Sequence, residues 1–512
     1  MKIEITGGDL KIREFYQIVY ENADVSLNKS ALSEIDKCFK FLKEYSDKKL
    51  IYGINTGFGP MAQYRIENED RHALQFNLIR SHASGCGELL RPDFLKATLL
   101  ARLSSLMKAK SGIHRNTVEL LRDFINLEIL PIIFTHGGVG ASGDLVQLAH
   151  IALCLIGEGE VIYQSKLQST KSVLAKLKMK PLEIHIREGL SLMNGTSCMT
   201  GIGMINTIMA YRLAKWEMLM SAMVNEISEA YDDHISKELN QVKPHVGQQQ
   251  VASAMRKILK GSKLLKNRHE HLYDKEVLAN VLDEKVQEYY SSRCIPQIIG
   301  PIWETISNTE KVLTNEINSV NDNPIIDYKN GNIYHGGNFH GDYVSLEMDK
   351  LKIAITKLSM LAERQLNYLL NHNLNQKLTP FINLGKLGLN FGMQGMQYTA
   401  TSTVAENQTL SNPMYVHSIP NNNDNQDIVS MGSNAALLCN KVIENTFDVF
   451  AVHLIAICQA VDYRGIQHKL APITKSVYDT ARKLAPKFSI EDKARYHELA
   501  KVRKYISETD LY

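Results

Sequence analysis

The 512-residue chain reads as lacking a membrane-spanning segment, and it has little excess of either charge. Lys and Arg number 58 against 55 Asp and Glu, a formal net charge of +3. So small an imbalance makes no case for a nucleic-acid surface, and the Lys-rich stretches 166–180 and 257–266 read as solvated helix faces. The most apolar late stretch, 449–458, is too short for a bilayer and contains His453. No apolar segment follows the charged start MKIEITGGDLKIREF, which argues against a signal peptide. The seven cysteines are scattered without a CxxC pair, so neither a disulfide framework nor a zinc knuckle is expected. Reduced thiols fit a cytoplasmic protein. The pairs His269/His271 and His335/His340 lack the HExxH spacing of a metal site. Repeats and low-complexity linkers are also missing.

What is present is a globular composition, 44% apolar and 22% charged, in a chain long enough for two or three packed regions. Three segments free of Pro and Gly keep helical apolar spacing, at about 204–231, 344–371 and 434–464. In the second, Leu351, Ile355, Leu358, Leu361 and Leu369 recur mostly at three- and four-residue steps. Each segment is over two dozen residues, well beyond the usual dozen or so. The expected fold is therefore mainly α: a long central helical bundle with a smaller glycine-rich N-terminal region. Expected boundaries are 1–190 for that region, 191–470 for the bundle and 471–512 for a charged helical cap. Glycine gathers at 52–60, 84–87 and 136–144, and polar loops return at 318–324, 335–342 and 421–427. Loops held by rigid helices are where chemistry usually sits.

Gly138, Gly140 and Gly143 match the GxGxxG dinucleotide fingerprint, after the apolar run 129–134 and with Glu158 downstream. This leaves an NAD-dependent dehydrogenase as an alternative of a different class. Against it, the chain beyond Gly189 offers long helices instead of alternating strands, and Pro131 suits a central strand badly. No Gly-Lys-Ser/Thr follows the glycines, so a P-loop is excluded.

Ala141-Ser142-Gly143 can do what few tripeptides can. In a tight turn the Gly143 nitrogen can attack the Ala141 carbonyl carbon, because no Cβ blocks its approach. Loss of the Ser142 hydroxyl as water then leaves a 4-methylidene-imidazol-5-one, an electrophile made without a bound cofactor. Taken alone, Ala-Ser-Gly-Asp reads as a helix N-cap.

The segment 136–145, HGGVGASGDL, resembles the signature of the histidine, phenylalanine and tyrosine ammonia-lyases. So, in order, do YGINTGFG at 52–59, NLIRSH at 77–82, EGLSLMNG at 188–195, QEYYSSRCIPQIIG at 287–300, NDNP at 321–324, GGNFH at 336–340 and NQD at 425–427. In wording the chain is most similar to bacterial tyrosine ammonia-lyases. The resemblance implies that Ala141, Ser142 and Gly143 form the electrophile autocatalytically, with no external cofactor and no metal. It implies that Tyr52 is the base for the substrate β-proton and Tyr290 a second proton-handling or phenolate-stabilising group. A phenol is a weak base at neutral pH, so neighbours must stabilise its anion. Arg293 is implied as the clamp on the substrate carboxylate. Asn194 and Gln287 would hydrogen-bond the electrophile and substrate, and Phe339 would pack beside the electrophile. Glu406 would lie near the substrate amine or ring, and Gln426 near the base. Ser81 and His82 occupy the position that meets the substrate ring, where a histidine can donate to a tyrosine phenol.

The implied reaction is removal of ammonia from an aromatic amino acid, with tyrosine to 4-coumarate favoured over histidine to urocanate. Arg80 and the wording of 412–417 lean to tyrosine, although Ser-His also occurs in histidine lyases. Aminomutases, which return the amine to the β-carbon, remain open. A homotetramer is implied, in which Tyr290 and Arg293 reach a neighbour's Ser142; no nucleic-acid or membrane partner is expected. One departure is Gln147, where the family often has proline.

Overall fold

The computed structural model describes residues 1–47, 49–274, 280–282, 285–488 and 491–511. It is mainly helical, as expected, and all three Pro- and Gly-free segments are helices: Ser197–Ser228, Asp342–Leu370 and Gly432–Arg464. A fourth long helix, Ile295–Ile317, was not expected because Pro296, Gly300 and Pro301 punctuate it. Gly300 serves close packing there: a Cβ would stand 2.7 Å from the Gln248 nitrogen of the Val246–Ile258 helix. The Gly432–Arg464 helix is long and apolar enough to cross a membrane, contrary to the length read from 449–458 alone. However, 89% of its most apolar window is buried inside the protein, as in a core helix.

Two compact units are each assembled from separated stretches of chain. The first comprises Met1–Thr207, Thr309–Asp349 and Pro413–Cys439. At its centre the Pro92–Leu106 helix buries all its residues from Phe94 onward, as its nearly continuous apolar surface requires. The helices Arg71–His82, Leu145–Leu155 and Glu188–Met193 pack on one another. Gln147 is buried in the first turn of Leu145–Leu155, which runs unbroken through the position where the family often has proline. All the described strands are short and belong to this unit. Phe134–His136 pairs antiparallel with Cys86–Leu89, while Leu130–Pro131 forms an edge of an antiparallel three-stranded sheet. An edge position is where Pro131 is tolerated. No strand–helix–strand crossover surrounds the GxGxxG glycines among the described residues, which removes the dinucleotide reading.

The second unit comprises Ile208–Asn308, Lys350–Asn412 and Asn440–Tyr512. Its core is helical, with Trp216, Phe447 and Phe450 fully buried. The charged C-terminal stretch forms the helices Pro472–Leu484 and Tyr496–Glu508, which pack together. Tyr505 lies edge-on to Trp216 at 5.2 Å, and Arg503 pairs with Glu444 and Asp448.

Candidate active site

The glycine-rich loop before Leu145 is held from several sides within the first unit. Met431 donates its N–H to the Val139 carbonyl at 3.0 Å; Gly341 N–H and Ser430 Oγ donate to the Gly140 carbonyl at 3.0 and 2.9 Å. Gly143 has φ +71°, and a Cβ there would sit 2.0 Å from the Gly195 carbonyl oxygen. Glycine is thus required for both conformation and space. Asp144 follows with no exposed surface. Its N–H donates to Gly195 O at 2.8 Å. Its carboxylate does not cap its own helix, as the N-cap reading supposed. Instead it accepts from Cys198 N at 2.9 Å, Met199 N at 3.0 Å and Ser433 Oγ at 2.6 Å, closing the start of the Ser197–Ser228 helix. Burial pushes this carboxyl up to about 6 despite those three donors.

Ser142 is bracketed by two amides. Asn194 Nδ2 donates to its carbonyl at 3.0 Å and Gln426 Nε2 to its hydroxyl at 3.3 Å. Asn194 Oδ1 in turn accepts from Asn323 N at 2.7 Å. The neighbouring Asp322 is fixed by a fully buried ion pair with Arg187 at 3.0 Å, and Arg187 also donates to the Pro324 carbonyl. The Asn321-Asp-Asn-Pro324 motif is therefore a buried bracket whose third residue orients Asn194.

A cavity of 350 Å³ opens over Ser142. Among its walls are Tyr52, Ser81, His82, Asn194, Phe339 and Gln426, so the first unit brings together seven sequence-expected site residues counting Ser142. Ala141 and Gly143 flank Ser142 in the chain, and Ala141 is buried. The Tyr52 hydroxyl accepts an N–H from Gly59 at 2.9 Å, a donor suited to negative charge on the phenolic oxygen. Its ring stands edge-on to Phe58. His82 Nδ1 lies 2.9 Å from the Leu78 carbonyl, which only accepts, and 3.0 Å from Ser81 Oγ, an arrangement that a proton on Nδ1 satisfies. In a neutral ring this leaves Nε2 as an acceptor.

The other four expected residues belong to the second unit, and none lines this cavity. Arg293 hydrogen-bonds Gln287 Oε1 and lies over the Tyr290 ring at 4.8 Å, grouping three of them. Tyr290 is 70% exposed on the short helix Tyr290–Arg293. Glu406 accepts from Asn445 Nδ2 at 2.7 Å.

Several cavity residues had no role in the sequence reading: Leu74, Asn77, Leu78, Asn323 and Asn425. The first three share a face of Arg71–His82 with Ser81 and His82, at steps of three and four. That spacing was a usable signal. Asn323 and Asn425 lie within motifs already recognised, but only the folded loops show which side chains meet the cavity. No cluster of three metal-ligating side chains occurs among the described residues.

The Ala-Ser-Gly turn lies under this cavity, and the class of enzyme to which the chain belongs, the carbon–nitrogen lyases, follows from its family. Residues 10–483 match the model of the aromatic amino acid lyases, and the chain belongs to that family. The tyrosine 2,3-aminomutase of Chondromyces crocatus is 37% identical over 513 residues, 98% of this chain and 96% of that protein. The histidine ammonia-lyase of Shouchella clausii (strain KSM-K16) is 38% identical over 483 residues, covering 94% and 93%. A tyrosine 2,3-aminomutase of Streptomyces globisporus, named MIO-dependent, is 36% identical over 497 residues, covering 96% and 92%. A crystal structure of tyrosine aminomutase from that organism matches with a TM-score of 0.95 at 34% identity, covering 99% of this chain and 97% of that one.

Proposed function

We propose that the enzyme converts L-tyrosine to 4-coumarate and ammonia, using a 4-methylidene-imidazol-5-one formed from Ala141-Ser142-Gly143. The observation that carries this reading is the pair of amides on Ser142, set in a cavity with Tyr52 and His82. In forming the ring, the Gly143 nitrogen bonds to the Ala141 carbonyl carbon. The carbonyl oxygen leaves as water with the protons of the Ser142 and Gly143 nitrogens. A second water takes the Ser142 hydroxyl and Cα proton. Once formed, the group supplies an electrophilic carbon able to take up the substrate amine and make it a better leaving group.

The chain's own residues do the rest. Asn194 aims an N–H at the Ser142 oxygen, the atom conjugated with the new double bond. Tyr52 removes the β-proton, with the Gly59 N–H stabilising negative charge on its oxygen. His82 Nε2 accepts a hydrogen bond from the tyrosine phenol, the reverse of the donation expected from the sequence, and phenylalanine cannot make this contact. Phe339 packs beside the electrophile. Arg293 binds the substrate carboxylate, with Gln287 and Tyr290 beside it, and Glu406 lies near the substrate amine or ring. The exposure of Tyr290 supports these groups serving a neighbouring subunit's Ser142 in a homotetramer. The enzyme acts in the cytoplasm, consistent with its seven free thiols.

The names of the matching aminomutases favour a second reading, in which the same elimination is followed by return of the amine to the β-carbon. One assay separates the readings: tyrosine, histidine and phenylalanine at equal concentration, with products resolved by chromatography. Free 4-coumarate supports the lyase, β-tyrosine the mutase, and exclusive urocanate overturns tyrosine as the substrate.

A further inference from the structure

Arg102 lies within the central Pro92–Leu106 helix and has no exposed surface. Its Nη1 donates to the main-chain carbonyl of Asn194 at 2.8 Å and lies 3.5 Å from Asn321 Oδ1. Its Nε and Nη2 have no hydrogen-bond partner among the described residues. Burial lowers it to about 10, partly offset by the fields of Asp322 and Asp144 and reinforced by Arg187, so it stays charged at neutral pH. A buried guanidinium bonded to amide oxygens is costly, and an apolar side chain of similar size would fill the space more cheaply. Packing alone does not account for it.

Its contact explains it better. The Asn194–Gly195 turn carries two hydrogen bonds to the electrophile loop: Asn194 Nδ2 to the Ser142 carbonyl, and Gly195 O from Asp144 N. Arg102 grips that turn so closely that a Cβ on Gly195 would stand 2.4 Å from Nη1. Asn321, steadied by Ser105 Oγ at 3.1 Å and donating to Thr196 Oγ1 at 2.8 Å, meets the same Nη1 at 3.5 Å.

We propose that Arg102 is a positioning residue for maturation of Ala141-Ser142-Gly143: it fixes the Asn194–Gly195 turn and puts a buried positive charge behind the donor to the Ser142 carbonyl. This rests on the electrophile proposed above. When Ser142 loses water, the Cα–H electron pair becomes the Cα=Cβ bond. The Cβ–O pair leaves with the hydroxyl, which takes the proton. Negative charge passing through Cα is shared with the Ser142 oxygen, where the Asn194 N–H meets it. A buried cation bonded to the residue that supplies that donor favours the charge shift.

The test uses full-length Arg102→Lys, Arg102→Gln and Arg102→Met. Intact mass gives the fraction of chains lacking two waters, circular dichroism checks folding, and steady-state kinetics separate kcat from KM. Arg102→Met should fold, mature incompletely and lose about 10-fold or more in kcat, with KM changed less than about twofold. Arg102→Lys, which keeps the charge, should mature ahead of Arg102→Gln, which keeps only a donor. Full maturation and parental kcat in Arg102→Met, or equal maturation of the Lys and Gln variants, overturns the proposal. Should Arg102→Met not fold, the Lys–Gln comparison decides. A parent enzyme that retains both waters removes the electrophile itself, and this role with it.

Discussion

Asn194 holds the Ser142 carbonyl with its amide nitrogen while its amide oxygen is held by Asn323, at 3.0 and 2.7 Å. Because a backbone N–H can only donate, the Asn323 contact fixes which end of the Asn194 amide faces Ser142. Asn194→Leu should lower kcat about 100-fold or more while leaving folding intact. Asn194→Asp keeps the acceptor for Asn323 but replaces the donor, so it should be at least as damaging. Stopped assays for product, with circular dichroism as the folding control, check both.

Ser142→Ala should abolish turnover and leave the chain at its unmodified mass, without loss of melting temperature. Gly143→Ala differs in kind. Its Cβ would meet a backbone oxygen at 2.0 Å, so the loop or the 194–195 turn must move. A lower melting temperature as well as lost activity is expected there.

At His82, the acceptor nitrogen matters for substrates that can donate a proton. His82→Leu should cut kcat/KM for tyrosine by about 100-fold and narrow the gap to phenylalanine. Unchanged selectivity between the two amino acids would show that His82 does not meet the ring.

Subunit sharing is open to a complementation assay. Ser142→Ala and Arg293→Ala chains should each be inactive, while co-expression should yield mixed oligomers with measurable activity. Lack of any recovery in verified mixed oligomers would place the Arg293 clamp elsewhere.

Two buried groups bend the stability profile in opposite senses. Burial raises Asp144 from 3.8 to about 6, so between those values the folded chain keeps a proton the unfolded chain has lost. Its contribution therefore falls by about 3 kcal/mol as pH rises through that window and is level above it. His453, fully buried with neither ring nitrogen partnered among the described residues, is lowered by burial from 6.5 to about 3. The unfolded chain binds that proton first, so stability falls below pH 6.5, by roughly 3 kcal/mol at pH 4. Melting curves of Asp144→Asn should drop more steeply towards acid than the parent's, and those of His453→Leu less steeply.

The legible parts of this molecule were those whose physics lies within one stretch of chain. Three long helices followed from apolar spacing, and the loops with Tyr52, Ser142, Asn194 and Gln426 from contiguous motifs. Ile295–Ile317 was hidden because glycine and proline were read as breakers, whereas Gly300 admits a neighbouring helix. Arg102 in LLARLSSL looks like an ordinary helix arginine, since nothing local shows that all sides of the helix are covered. Asp144 read as the cap of its own helix. Its real partners, Cys198 and Met199, are more than fifty residues away and become neighbours only in the folded chain.

That carboxylate ties two events together during synthesis. The segment proposed to cyclise ends in the group that starts a 32-residue helix. Under that proposal, a nascent or misfolded chain without that helix start would lack a clamp on its Ala-Ser-Gly turn and would stay unreactive. Reactivity would thereby be reserved for molecules that have already folded, sparing the cell unguarded electrophiles on incomplete protein.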